Sequence, residues 1–277
     1  QRAFTITMLI YCIAMIVITF FSVFSTKERI HSAESAEEDT QKSASAGREA
    51  GTWETVKALF KNKYWVIVTV ASFVVFFVII MYAMGNVYYC QYVLYDMGQY
   101  SWVSNSISIA QFAVMFVTPA FMKKFGKTAV YEAGMVVMGL GFAVFGGSST
   151  IVMIIFNVLK GCGVGMAGGM ALGMVADTIT YGTKKTGIDT VGLGNAGVSA
   201  AQKIGLGLGT AVFGWVLNGA GYDGSLDAQG IAQPESVSTA INFLYNWLPF
   251  IMVIAIFVLM VILYHCERDL KKMEAAE

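Results

Sequence analysis

Apolar positions in this chain come in long unbroken runs, not in alternating or one-sided patterns. The runs cover about 4–24, 64–85, 102–122, 128–147, 151–176, 193–220 and 243–265. Each approaches the ~20 apolar residues that a helix rising ~1.5 Å per residue needs to cross ~30 Å of hydrocarbon. Membrane strands would show ~10-residue segments of alternating polarity, so the runs predict helices and an all-α polytopic membrane protein.

The only long polar stretch is 25–62. Its middle, 32–51, is rich in Ala, Ser and Glu with mixed charge and is expected to lack fixed structure. Towards its end Thr52 can cap a short helix that puts Trp53, Val56, Leu59 and Phe60 on one face with Lys57 and Lys61 beside it, an interfacial helix lying on the bilayer. One span, a linker and six more spans are expected of a six-plus-six transporter cut before its sixth helix. On that reading 1–24 is the last helix of an N-terminal bundle, 25–62 the cytoplasmic linker and 63–277 the C-terminal six-helix bundle.

Composition agrees with lipid. Hydrophobic residues make up 56% of the 277 positions and charged residues 13%, about half the charged share of a soluble domain. The net charge is zero, yet Lys and Arg are strongly biased to one set of loops: Lys27, Arg29, Lys42, Arg48, Lys57, Lys61 and Lys63, then Lys123, Lys124 and Lys127, then Lys184 and Lys185, then Arg268, Lys271 and Lys272. The intervening loops, 86–100, 147–150 and 221–242, contain none. By the positive-inside rule the basic side is cytoplasmic, which places the C-terminus inside, in a cell (inner) membrane, and Gln1 outside. With an odd number of spans and no initiator Met, a truncated chain lacking its N-terminal half is expected. No small-residue cleavage site follows the first run, so it reads as a span and not a signal peptide.

The four cysteines show no paired spacing and both histidines lie outside the membrane centre, so neither a disulfide framework nor a metal site is expected. No nucleic-acid partner is expected, and no nucleophile pair or ring of charges suggests an enzyme or a channel. Gly161, Gly165, Gly169 and Gly173 recur every fourth residue, as do Gly205 and Gly209; such stripes serve close helix packing or bending during transport. Gly163, Gly165 and Gly168 satisfy a dinucleotide fingerprint literally, but no strand precedes them.

Lys160 and Lys203 each lie about ten residues inside an apolar run, ~15 Å from its end. Such a cation needs a partner or a wet cavity. Asn195, Ser199 and Lys203 share one helix face while Gly205 and Gly209 lie on another, so the glycine face should pack and the lysine face should look into something wet. Asn157 with Lys160 forms a second polar patch, open to a role in transport or as a helix-to-helix tether. Ser101, Asn105 and Ser108 form a third. No carboxylate occupies the middle of any run, so counter-charges are expected elsewhere. Asp177, within two turns of an expected helix end at Gly182, opposes the helix dipole and calls for a partner; with Lys184 and Lys185 it forms either a cytoplasmic gate or a plain surface pairing. Tyr82, Tyr88, Tyr89, Tyr92 and Tyr95 crowd one end of the second run, as an interfacial belt or a stacking platform for a sugar ring.

The run 175–187, VADTITYGTKKTG, resembles the loop between helices ten and eleven of the glycoside-pentoside-hexuronide:cation symporters, the melibiose-permease-like branch of the major facilitator superfamily. Residues 25–29, 57–63 and 123–127 agree, as do Gln202-Lys203-Ile204-Gly205 and Gly221-Tyr222-Asp223. The resemblance spans essentially the whole chain, as helices six to twelve. It implies alternating access by two rocking bundles with a small sugar or glycoside between them, Gln202 and Lys203 at the central cavity, and uptake coupled to Na⁺ or H⁺ through acids of the N-terminal bundle, with no cofactor. Many members carry an acid where this chain has Thr180, which leaves a carboxylate pair with Asp177 unsupported. A major-facilitator carrier of a different small solute is the alternative.

Overall fold

The computed structural model describes residues 2–25, 48, 50–143, 149–229 and 231–275. Most of the stretch expected to lack structure, four of the five residues of the 25–29 motif and the far end of the expected 128–147 span lie outside the described residues. The chain divides into two compact units, Gln1–Ser45 and Ala46–Glu277.

The first unit contains α1, Arg2–Ser25, whose side chains, where described, are all exposed within that unit. At ~1.5 Å per residue its 24 residues rise about 36 Å.

The second unit is entirely helical among the described residues apart from one isolated bridge. Its helices are α2 (Thr52–Lys61), α3 (Lys63–Tyr92), a 3₁₀ turn (Met97–Gln99), α4 (Tyr100–Phe125), α5 (Lys127–Phe142), α6 (Thr150–Thr186), α7 (Val191–Gly219), α8 (Gly224–Ala228), α9 (Glu235–Asn242), a π-helical turn (Phe243–Trp247), α10 (Leu248–Leu263) and α11 (Cys266–Glu274). Among the described residues five segments are long and apolar enough to span a membrane: Lys63–Tyr92, Met97–Phe125, Thr150–Thr186, Val191–Gly219 and Glu235–Met273. This is an all-α polytopic membrane protein. α5 is shorter than the run behind it, 16 residues, or about 24 Å.

Where helix bounds depart from expectation, side-chain contacts explain the departure. α3 continues to Tyr92 because Asn86, Tyr89, Cys90 and Tyr92 are buried, not released into a loop at Gly85. The stop expected at Gly182 does not occur: α6 runs through it to Thr186. Gly182 serves close approach instead, since a Cβ there would lie 2.6 Å from Asn62 Nδ2. The stop falls at Gly187, whose φ of +69° suits a glycine C-cap.

α2 forms as expected but not with the expected cap or face. Gly51, not Thr52, is the N-cap, without a side-chain cap bond; Thr55 Oγ1 donates to the Gly51 carbonyl at 3.2 Å. Leu59 is buried with Thr55 and Ala58, whereas Trp53 and Phe60 are exposed, so the four apolar residues do not share one environment. Arg48, inside the stretch expected to lack structure, pairs through its backbone with the α6–α7 connection: its N–H donates to the Gly187 carbonyl at 2.7 Å and its carbonyl accepts from Asp189 at 3.1 Å.

α6 is the hub, touching α3, α4, α5 and α7, while α3 touches α4, α7 and α10, and α10 returns to α5. Glycines let α6 sit this close. A Cβ on Gly161 would fall 2.3 Å from the Ile107 carbonyl oxygen of α4, and one on Gly163 2.4 Å from the Met138 nitrogen of α5. Asn62 secures the start of α3: its Oδ1 accepts from Tyr64 and Trp65 at 3.2 and 3.3 Å, and its Nδ2 donates to the Thr178 carbonyl of α6 at 2.7 Å.

Candidate functional site: a polar helix face and a buried polar cluster

α7 is divided lengthwise. Its glycine side lies on α3, where a Cβ on Gly205 would be 2.5 Å from the Phe73 carbonyl oxygen and one on Gly209 2.3 Å from Ile80 Cγ2. Trp65 Nε1 donates to the Gly194 carbonyl at 3.1 Å, pinning the first turn. The other side presents Asn195, Ser199 and Lys203, all exposed, with Gln202 half-buried at the margin. Among the described residues Lys203 makes no hydrogen bond or ion pair. Ser101, Asn105 and Ser108 are likewise exposed along α4.

Asn157 and Lys160 are not on such a face. Both are 0% exposed, inside the bundle. Lys160 Nζ has no hydrogen-bond partner and sits 3.8 Å from the centroid of the Tyr245 ring and 4.7 Å from that of Phe142. The partner required by a buried cation is thus a pair of aromatic faces. Asn157 Nδ2 donates to the Val103 carbonyl at 3.0 Å, and the Tyr245 hydroxyl lies 2.6 Å from Asn86 Oδ1 and 2.9 Å from Asn157 Oδ1. The π-turn makes this possible: its extra residue widens the helix and buries Leu244, Tyr245 and Asn246 in succession. Asn86 and Tyr245 complete the cluster and were missed by sequence reasoning. The available signal was an amide and a phenol at the edges of two apolar runs.

At the Lys/Arg-free end the tyrosines form neither a simple belt nor an open platform. Tyr82, Tyr89 and Tyr92 are buried, Tyr88 is partly so, and only Tyr95 of the five is exposed. The Asp227 carboxylate accepts from the hydroxyls of Tyr92 and, at 3.1 Å, Tyr222, and from Gln233 Nε2 at 3.0 Å. These donors, Tyr92 first, hold Asp227 below the usual carboxylate range.

At the basic end Asp177 is engaged by a lysine the sequence reading did not assign to it. Lys127, at the start of α5, places Nζ 2.6 and 2.7 Å from the two carboxylate oxygens, with both side chains partly buried. Lys185 instead extends over the Tyr181 ring, 5.6 Å from its centroid. The ion pair therefore ties α5 to α6 and does not draw Asp177 towards the loop that follows α6.

The arrangement offers a helix packed closely through its glycines with one polar face, and no cluster of three or more metal-ligating side chains among the described residues. The chain is 28% identical over 253 residues to the isoprimeverose transporter of Lactiplantibacillus pentosus, covering 90% of this chain and 49% of that protein. It is 30% identical over 179 residues to a putative sulfoquinovose importer of Escherichia coli strain K12, covering 64% and 38% respectively. To a putative 2,3-dihydroxypropane-1-sulfonate exporter of the same strain it is 26% identical over 181 residues, 65% and 39% of the two chains. The chain thus spans about half the length of these relatives or less, and they are transporters, not enzymes. A family model described as MFS/sugar transport protein matches residues 1–268, so the chain belongs to that family of the major facilitator superfamily.

Proposed function

We propose that this chain forms one wall of a sugar transporter that moves a glycoside, pentoside or hexuronide by alternating access, coupled to Na⁺ or H⁺. The observation that carries the reading is the lengthwise division of α7. A helix fastened to its own bundle by Gly205 and Gly209, yet exposing Asn195, Ser199 and Lys203, is built to show polar groups to something other than that bundle. Asn105 on α4 and Gln202 beside Lys203 are the further candidate contacts. In this reading a second bundle supplies the facing wall and the carboxylates for the coupling ion. The basic end faces the cytoplasm of a cell with this protein in its inner membrane, and the Lys127–Asp177 pair stands at the cytoplasmic gate, with Lys184 and Lys185 beside it.

A charged sugar is the reading that Lys203 favours, because an exposed cation with no ion pair of its own is a ready partner for a carboxylate or sulfonate. In proteoliposomes containing the whole transporter, counterflow of radiolabelled isoprimeverose and of a radiolabelled glucuronide is the direct test. Lys203→Ala is expected to abolish concentrative uptake with protein levels in the membrane unchanged, and to affect glucuronide counterflow more than isoprimeverose counterflow. Normal accumulation by that variant would overturn the role of Lys203.

A further inference from the structure

The seam between α5 and α10 carries two cavities that neither the polar face of α7 nor the buried cluster uses. α5 leaves the basic end at Lys127 and α10 returns to it at Leu263, so the two packed helices run antiparallel. Midway along them lies a slot of about 350 Å³ lined wholly by apolar groups, including Val136, Gly139, Leu140, Ile254 and Val258. Four of these side chains are exposed, so the slot opens sideways, to lipid in a membrane-spanning pair. Gly139 leaves room in it: a Cβ there would meet Val253 Cγ1 at 3.6 Å, an ordinary contact.

One turn closer to the basic end, on the same seam, a second cavity of about 460 Å³ is lined by Glu132, His265, Glu267, Arg268 and Lys271 among others. Glu132 precedes Val136 by one turn of α5, and Val261, on this cavity's wall, follows Val258 by one turn of α10, both steps leading towards the basic end. The apolar slot and the charged pocket at the helix ends therefore follow one another along the same seam. That order is the order of a phospholipid, acyl chain and then headgroup.

The charges select the headgroup. Glu132 and Glu267 offset Arg268 and Lys271, so the pocket is of mixed sign and not simply basic. Lys271 reaches Glu267 only at 3.3 Å and is largely solvent-exposed. Arg268 is exposed and, among the described residues, makes no hydrogen bond or ion pair. A guanidinium with no hydrogen bond or ion pair among the described residues matches a phosphate, and neighbouring carboxylates match an ammonium that can donate N–H bonds. We infer that this seam binds phosphatidylethanolamine, with phosphate on Arg268 and Lys271, ammonium on Glu132 and Glu267, and one acyl chain in the slot beside Gly139. Phosphatidylcholine lacks the N–H donors, and phosphatidylglycerol brings an uncompensated negative charge to two carboxylates.

The test is to reconstitute the protein in nanodiscs of equimolar phosphatidylethanolamine, phosphatidylglycerol and phosphatidylcholine with identical acyl chains, and to weigh retained lipid by native mass spectrometry. A phosphatidylethanolamine adduct is expected to dominate. Arg268→Ala is expected to weaken it about tenfold, the scale of a lost charge-assisted contact, with partial rescue by Arg268→Lys. Gly139→Leu should fill the slot and lower retention similarly, whereas Gly139→Ala should not. Should Gly139→Leu fail to fold, as judged by circular dichroism and gel filtration, the exposed Arg268 variants decide the matter. Equal retention of phosphatidylglycerol or phosphatidylcholine, or an undiminished adduct in Arg268→Ala, overturns the assignment.

Discussion

Lys160 and Lys203 occupy equivalent places in the sequence, each about ten residues into an apolar helix, and the fold sends them to opposite environments. Lys203 stays on an exposed face; Lys160 is enclosed against Tyr245 and Phe142 without a hydrogen bond. Removing an enclosed charge in favour of an apolar group of similar volume is often neutral or stabilising. Lys160→Met is therefore expected to hold or raise the thermal midpoint of the purified protein, measured in detergent with a thiol-reactive dye or by static light scattering. Tyr245→Phe should lower it, through a loss of about 1–3 kcal/mol of stability, because it strips a shared hydroxyl from the buried amides of Asn86 and Asn157. The position of Lys203 was legible from spacing alone, since helical periodicity fixes which residues share a face. The burial of Lys160 was not, because it depends on a π-turn about 85 residues further along the chain. Asp227 gives a pH test at the other end of the bundle. Its carboxyl is held below the ordinary value, chiefly by the Tyr92 hydroxyl, so the folded state binds a proton less readily than the unfolded one. Its contribution is then fully present above the unfolded value, about 3.9, and is lost as pH falls through the lower folded value. Asp227→Asn should remove that part of the acid dependence of the melting midpoint and leave the profile near neutrality flat.

At the scale of elements, glycine placement carries most of the architecture. The expectation that the Gly161 and Gly205 stripes are packing faces agrees with their approach to α4 and α3. The stripes also make a graded prediction. Gly205→Val should destabilise the protein by about 1–3 kcal/mol through overpacking, because its Cβ would fall 2.5 Å from the Phe73 carbonyl oxygen. Gly207→Ala, on the same helix with nothing within 4 Å, should be neutral or slightly stabilising through improved helix propensity. Equal losses from both substitutions, in a chemical-denaturation or thermal-shift series, would remove close packing as the reason for the stripe. Helix ends were less legible than helix faces. Gly182 reads as a stop in isolation, but it is the place where Asn62 of a distant segment bonds the α6 backbone, and the actual stop is Gly187. Similarly, Asn86 reads as the first loop residue until Tyr245 is brought beside it. In both cases the missing information is a long-range contact, which no local pattern contains.

At the scale of the molecule, the deciding fact is an imbalance of charge and surface. Lys203 lies on an exposed polar face, while Asp177 and Asp227 are committed to Lys127 at the basic end and to Tyr92, Tyr222 and Gln233 at the other. A cation-coupled carrier needs mid-membrane ligands for its ion and a second wall for its substrate. The chain covers 49% of the length of the isoprimeverose transporter that it matches. The proposed function therefore calls for a site shared between two bundles. Proteoliposomes made from these 277 residues alone are expected to show no ion-gradient-driven accumulation of isoprimeverose or a glucuronide. Co-expression with an N-terminal bundle taken from the same transporter should restore it. The restored activity should then be sensitive to Lys203→Ala but not to Lys160→Met, since only the first residue faces outward from this bundle. Accumulation by the 277 residues alone would refute the shared wall. Restored transport that is indifferent to Lys203 would keep the two-bundle arrangement and remove the polar face of α7 from the substrate path.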